Sequence, residues 1–322
     1  MGLASLDDPG AATVTCSLKS TMERYHSFEM VFASVPYLPA VGQEESPDTR
    51  ERQPRTRCNR SSKSRAQLND TATMDRLVGE TSGEDMLWVH LQMHLAFIRG
   101  DIAKHRSLSD ALVNRQRKAN HMENVAEALA YHADVEAYLG NYHLARRLCA
   151  QADEAGNNSA LGLFKCSPAL GLSADTSHAE ALAAKLNELF PENTIEQRVD
   201  LPVTHSTIQR ARGNFGAAAD LFSPVTQFPN VVVSYNRGRA YMAAGDQAKA
   251  IAAFQTVLDH PGGPDWGSFK PLSQLGLAQT YAKQGDSEKS RKAYEDFFAT
   301  WKDADPDIPI LKQAKAEYAN LK

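Results

Sequence analysis

A pair of histidines is the first feature of this chain that could do chemistry. His90 and His94 stand four residues apart, so on a helix both imidazoles share one face and could ligate a metal ion. No H-E-x-x-H motif and no third ligand accompany them, so we favour the alternative that both are groove or surface histidines. Asp303, Asp305 and Asp307 alternate like the start of a calcium loop but lack its glycine and its distal glutamate. We therefore predict no metal site and no cofactor.

Covalent catalysis has no recognisable residues in this chain. The sequence contains no G-x-S-x-G elbow and no dinucleotide-binding glycine fingerprint. The four cysteines form no C-x-x-C pair, and no histidines stand near them at zinc-ligand spacing; they are Cys16, Cys58, Cys149 and Cys166. We predict free thiols, a reducing compartment and no catalytic residue, so the chain is not expected to be an enzyme.

Charge and hydropathy exclude other classes of function. The net charge of −4 gives no support for nucleic-acid or membrane-surface binding through bulk charge. No apolar run approaches the roughly 20 residues that span a bilayer, and Asp7 and Asp8 stand where a signal peptide needs positive charge. The sequence therefore predicts a cytoplasmic protein that binds neither nucleic acid nor membrane.

The pair with the best chemistry for binding is Tyr235 and Arg239, one helical turn apart. The aromatic ring can hold apolar side chains, and the guanidinium can bind a carboxylate through two parallel hydrogen bonds. The alternative is that both are ordinary solvated residues. Either interpretation depends on the helices that would position them.

Residues 235–261 have the pattern of two short helices packed back to back. Gly238 and Ala250 let the two backbones approach closely, while Phe254 fills the space beside them. Gly245 lies between the helices, in a turn that is least strained without a Cβ. A helix pair of this kind cannot bury its own apolar face, so it must be repeated.

The pattern is repeated six times, each time with a small residue followed by Asp or Asn at the turn. These turns lie at 100, 140, 174, 213, 245 and 285, about 32 to 40 residues apart. Pro168 falls in the first helix of the third copy, which we therefore expect to begin late or to be kinked. The fourth copy has Ala218, Phe222 and Val225 on its second helix.

This repeat resembles the tetratricopeptide repeat. Together with the stretch L-F-P-E-N-T at 189–194 and the ending at 297–309, it resembles the C-terminal repeat region of bacterial eukaryotic-like serine/threonine kinases and winged-helix regulators. The resemblance covers about residues 84–322 and implies an all-α fold, a right-handed α/α superhelical solenoid with a capping helix at 310–321. The kinase motifs themselves are absent, so no phosphorylation is expected.

Residues 1–80 differ from the rest in having no helical period. They carry several prolines and a basic run from Arg50 to Arg65 without interleaved aromatic residues. We predict a disordered or poorly ordered tail, rather than the alternative of a nucleic-acid or targeting patch.

The resemblance implies a protein-interaction scaffold that binds a protein or peptide on the concave face of the solenoid, which the first helices line. Positions about three, six and ten residues before each turn should face inward. They select His90, His94, Phe97, Asp134, Thr207, Arg210, Tyr235, Arg239, Met242 and Gln279. An alternative is a detached regulatory or sensor arm of a bacterial kinase or transcriptional regulator, with that kinase or regulator as its partner. An enzyme with an unrecognised site is the least favoured interpretation.

Overall fold

A computed structural model describes residues 86–222, 230–260 and 266–321, except for a few side chains near the ends of these ranges. Within these ranges the chain forms thirteen α-helices and one π-helical turn. They are α1 (Met86–Arg99), α2 (Ile102–Lys118), α3 (Met122–Tyr138), α4 (Tyr142–Glu154), α5 (Ala160–Leu172), α6 (Thr176–Leu189), the π turn (Glu196–Asp200), α7 (Leu201–Ala211), α8 (Phe215–Asp220), α9 (Val231–Ala244), α10 (Gln247–Asp259), α11 (Trp266–Gln284), α12 (Ser287–Thr300) and α13 (Pro309–Ala319). The predicted tail, 1–80, lies outside the described residues.

The helices form six consecutive pairs, from α1 and α2 to α11 and α12, followed by the single helix α13. Each first helix packs against its own second helix, and the consecutive first helices from α3 to α11 also pack against one another. The first helices are buried on most sides, as in α3, whereas the second helices bury one stripe and expose the rest. This is the all-helical arrangement of sequentially packed pairs that the sequence predicts.

The six predicted turns are all confirmed by the backbone. The glycines at 100, 140, 213, 245 and 285 have φ between +73° and +89°, the left-handed region in which a side chain is strained. Ala174, which takes the place of glycine at the third turn, has φ of +61°. In three of these turns the next residue is an aspartate whose carboxylate accepts the N–H of the residue three positions on, which caps the second helix; these are Asp101, Asp246 and Asp286.

The third pair contradicts the expectation that its first helix begins late. Helix α5 begins at Ala160, directly after Ser159, whose hydroxyl accepts the N–H of Gly162, and it continues through the proline to Leu172. A proline inside a helix removes one backbone hydrogen bond. Because α5 packs against α3, α6 and α7, tertiary contacts hold the helix together at this point.

The fourth pair is the least regular. Its first helix begins with the π turn before continuing as α7, and its second helix, α8, has only six residues. Phe222 is fully buried, as its position in the repeat predicts. Val225, placed on the same helix by the sequence pattern, lies outside the described residues.

The predicted capping helix is confirmed as α13. Leu311 and Ala314 on its inner side are buried. The Glu317 carboxylate accepts hydrogen bonds from the Tyr294 hydroxyl (2.7 Å) and from Gln279 Nε2 (3.0 Å). Helix α13 is thereby fixed to the last repeat pair.

The residues that join α12 to α13, together with the first residues of α13, contact the first two pairs. Trp301 Nε1 donates to the carbonyl of Ile98 (3.1 Å), and the N–H of Asp305 donates to the carbonyl of Gly100 (2.9 Å). Further along, the N–H of Ile310 donates to the carbonyl of Leu139 (3.2 Å). Helix α11 also packs against α1. We call residues 301–310 the closing segment, since they join the two ends of the superhelix.

None of the helices in the described ranges is long and apolar enough to cross a membrane.

Candidate functional site

The inner faces of the first helices meet across the superhelix. The ring of Tyr138, at the end of α3, contacts Tyr235 on α9 with centroids 5.8 Å apart and Phe269 on α11 with centroids 5.3 Å apart. Tyr235 and Phe269 are themselves 5.0 Å apart. The Tyr138 hydroxyl accepts a hydrogen bond from Asn236 Nδ2 (3.1 Å). The second, fifth and sixth pairs therefore share one aromatic core.

This closure corrects the expectation of an open concave groove at three predicted positions. Tyr235 is 5% exposed, Thr207 2% and Asp134 7%, so none of them presents a surface to solvent. The reason is curvature: when the inner faces of distant pairs touch, residues aimed at the groove become core. Periodicity within each repeat predicts which face points inward, but it carries no information about how sharply the pairs turn.

Asp134 is held in a structural ion pair. Its carboxylate accepts a hydrogen bond from Lys165 Nζ on α5 at 3.1 Å, and the ammonium group lies over the rings of Tyr131 and Phe164 at 5.5 and 5.4 Å. Both partners are largely buried, so this pair joins the second and third repeats.

The two candidate metal-binding histidines contact polar and aromatic neighbours. His94 Nδ1 lies 3.2 Å from the hydroxyl of Tyr131 and 3.3 Å from that of Ser268. The His90 ring lies 5.9 Å from that of Tyr131. Burial and then the nearby Arg115 charge lower the pKa of His90 to about 4, so its imidazole is neutral at neutral pH. In the part of the chain that the structure describes, no three His, Cys, Asp or Glu side chains are grouped as metal ligands.

Three other predicted groove residues lie elsewhere on the first helices. Gln279 is hydrogen-bonded to Glu317 of the terminal helix, and Phe97 is buried in the core of the first pair. Met242 is half-buried near the end of α9.

Arg210 on α7 and Arg239 on α9 are two predicted groove residues that remain partly exposed, and their helices pack against each other. The Arg239 guanidinium lies over the ring of Tyr235, with Cζ 5.8 Å from its centroid. Arg210, near the end of α7, is half-buried, and its Nε is fully buried without an acceptor. Burial and the charge of Arg239 lower the pKa of Arg210 to about 9, so both guanidiniums are charged at neutral pH.

Tyrosines complete this cluster. Tyr138, Tyr142 and Tyr235 are all close enough to interact electrostatically with both arginines, and Tyr142 is 41% exposed. Among the described residues no carboxylate forms an ion pair with Arg210 or Arg239. We call Tyr142, Arg210, Tyr235 and Arg239 the arginine cluster.

Sequence reasoning found the two arginines and Tyr235 but missed Tyr138 and Tyr142. These tyrosines lie two residues before and two residues after the turn glycine at 140. The positions predicted to face inward, three, six and ten residues before a turn, include neither of them. Aromatic residues on both sides of a repeat turn were the available signal.

Comparison with known families identifies part of the repeat array. The tetratricopeptide repeat model matches residues 233–261 and 272–303, which are the pairs α9 with α10 and α11 with α12. No curated protein matches the chain. The C-terminal part of the chain therefore contains tetratricopeptide repeats, and the preceding four pairs continue the same packing.

Proposed function

We propose that this array of helix pairs, whose last two are tetratricopeptide repeats, is a protein-interaction scaffold that binds an acidic segment of its partner at the arginine cluster. Helical repeats present extended surfaces to protein partners as a general property of their stacking. The observation that carries the finer proposal is that two arginines on the packed helices α7 and α9 have no carboxylate partner among the described residues. Arginine is the residue that best binds an oxyanion through paired hydrogen bonds.

The partner is expected to insert a short charged group rather than to occupy a long groove. Tyr235, Thr207 and Asp134 are buried, so the inner face has no continuous channel along these positions. Tyr142, Arg210, Arg239 and Met242 keep exposed area and supply charge, hydroxyl groups and apolar contact. We further propose that the chain acts in the cytoplasm without catalysis of its own, since its sequence lacks the G-x-S-x-G elbow, the dinucleotide-binding fingerprint and the kinase motifs.

A regulatory arm remains the alternative proposal. It follows from the resemblance to the repeat regions of bacterial kinases and winged-helix regulators, and it predicts that a separate kinase or DNA-binding protein is the partner. Capture of such a protein by the arginine cluster would favour this version over a general scaffold.

The test is quantitative affinity capture from host lysate with the full chain. The double variant Arg210→Glu with Arg239→Glu reverses the charge of the cluster, and we expect it to retain at least about tenfold less of the specific partners, because each lost charged hydrogen bond weakens binding by about 1.5–3 kcal/mol. The matched control is Arg212→Glu, since Arg212 lies two residues from Arg210 but pairs with Glu180 on an exposed surface.

Circular dichroism must show equal helicity for all three proteins. Equal capture by the wild type and the double variant would exclude the arginine cluster as the partner site.

A further inference from the structure

The charge of the arginine cluster defines what kind of anion fits it. Arg210 and Arg239 lie on α7 and α9, two first helices that pack against each other, and no carboxylate of the described residues pairs with either guanidinium. One carboxylate would balance only one of these charges, whereas a phosphate monoester carries about −1.5 to −2 at pH 7 and has three acceptor oxygens. We propose that the arginine cluster is a phosphate-binding site, and that its ligand is a phosphorylated side chain of the partner protein. This proposal rests on the proposed function and specifies its ligand.

The first structural support is that Arg239 is held in place before any ligand binds. Its guanidinium lies over Tyr235, and that ring is packed against Tyr138, Phe254 and Phe269 with centroids 5.0 to 5.9 Å away. A long side chain fixed in this way loses less rotamer freedom on binding than one on an open surface. Arg239 can therefore present its donors to an incoming oxygen at low entropic cost.

The second support is the unused donor of Arg210. Its Nε is fully buried and has no acceptor. A buried donor left without a partner is unfavourable by roughly 1–3 kcal/mol. An oxyanion that enters beside Arg239 would supply the missing acceptor, so ligand binding removes a penalty that is already present in the folded protein.

The third support is that no carboxylate of the described residues pairs with the arginines. Asp134 stands one turn before Tyr138 on α3, but Lys165 neutralises it. The exposed Tyr142, at the start of α4, adds a hydroxyl donor at the edge of the cluster. The cluster is thus positive and partly buried, and Tyr142 is its most exposed member.

The direct test is calorimetric titration of the full chain at constant ionic strength. The probes are inorganic phosphate, a short neutral peptide with one phosphoserine, the same peptide with glutamate in its place, and acetate. We expect both phosphate probes to bind at least tenfold more tightly than acetate and the glutamate peptide, with the phosphopeptide at least as tight as inorganic phosphate. Equal affinity for acetate and phosphate would overturn the proposal, and so would binding of inorganic phosphate alone with exclusion of the phosphopeptide.

Two variants separate binding at the cluster from binding elsewhere. Arg239→Lys keeps the charge but loses the planar fork, and Arg210→Gln removes a charge while keeping a polar side chain. Each should weaken phosphopeptide binding at least fivefold, and Arg212→Gln should not weaken it. Binding should also be weaker at pH 5 than at pH 7.5, because the phosphate loses its second charge near pH 6 while the arginines keep theirs. Unchanged affinity in both cluster variants would refute the site.

Phosphatase treatment of the lysate distinguishes this proposal from the proposed function. Partner capture that needs the arginines and is lost after dephosphorylation supports both. Capture that needs the arginines but survives dephosphorylation leaves the scaffold proposal standing and refutes the phosphate ligand.

Discussion

His105 is a fully buried histidine next to a charged network. Its Nδ1 lies 3.0 Å from the carbonyl of Met93, and its ring contacts that of His132. Burial, the largest influence, lowers the pKa of His105 to about 4, and the charges of His132 and His94 act in the same direction. The hydrogen bond with the Met93 carbonyl and the charge of Glu136 oppose this shift but do not outweigh burial. Burial alone would raise the pKa of Glu136, but hydrogen bonds from His132 and Arg106 outweigh it and lower that pKa to about 2.

We predict that His105 makes the fold sensitive to mild acid. The unfolded chain binds a proton at this side chain near pH 6.5 and the folded chain only near pH 4, so between these values the unfolded state binds more protons and stability falls as the pH is lowered. The loss should reach about 2–3 kcal/mol by pH 4. Urea unfolding of the wild type and of His105→Gln, at pH 7.5 and at pH 4.5, measures it.

The quantity to compare is the difference between the two proteins. Buried acids such as Asp200 and Glu127 have pKa values raised by burial, so they increase the stability of the fold as the pH falls. Both proteins contain these acids, so their effect cancels in that difference. Equal loss of stability in both proteins on acidification would show that His105 is not the sensitive group.

At the scale of helices, Phe254 is the residue that joins three elements. It lies on α10, and its ring fills the space beside Gly238 on α9 and Gly276 on α11. A Cβ at either glycine would lie 2.6 Å from an atom of the ring. Because a glycine stands on each side, the ring has little freedom to move away.

We predict that Gly276→Ala lowers the free energy of unfolding by about 1–3 kcal/mol, although alanine is the better helix former by about 1 kcal/mol. Gly238→Ala should behave alike. The matched control is Gly216→Ala on the exposed side of α8, where a Cβ meets no atom within 4 Å and the change should be neutral or stabilising. Chemical denaturation of the three variants gives the comparison, and a stabilised Gly276→Ala protein would contradict the packing argument.

The sequence predicted the helix pairs well because the signals for them are local. Each turn is marked by a glycine, or once an alanine, before an Asp or Asn, and these positions adopt the left-handed backbone that the pattern requires. The late start expected from Pro168 was wrong, because α5 runs from Ala160 through the proline and packs against α3, α6 and α7. The burial of Tyr235 was also missed, since it depends on contacts with α3 and α11.

At the scale of the whole repeat region, Asp305 connects the two ends. Its carboxylate Oδ2 accepts the N–H of Ala103 at 2.7 Å, so it caps helix α2 from 202 residues away, beside the local cap Asp101. Nothing in the spacing of these residues indicates the contact. The sequence interpretation, which considered the alternating aspartates only as a weak calcium signal, therefore missed the structural role of Asp305.

We predict that Asp305→Ala lowers the free energy of unfolding by about 0.5–2 kcal/mol, the usual effect of losing a helix cap. Amide hydrogen exchange should become faster both at 100–105 and in the closing segment, because the hydrogen bond from Ala103 to Asp305 holds these two segments together. Asp303→Ala is the control, since the side chain of Asp303 is 85% exposed. Faster exchange in the closing segment alone would mean that the two ends are not coupled.

The closing segment also limits how such a chain can evolve. An open array lengthens or shortens by duplication or loss of one unit, since each unit contacts only its neighbours. Here Trp301, Asp305 and Ile310 must reach Ile98, Gly100 and Leu139 after a fixed number of pairs. An in-frame duplication of one pair would displace one end from the other and break these bonds together, so the number of units in this protein is set by its geometry.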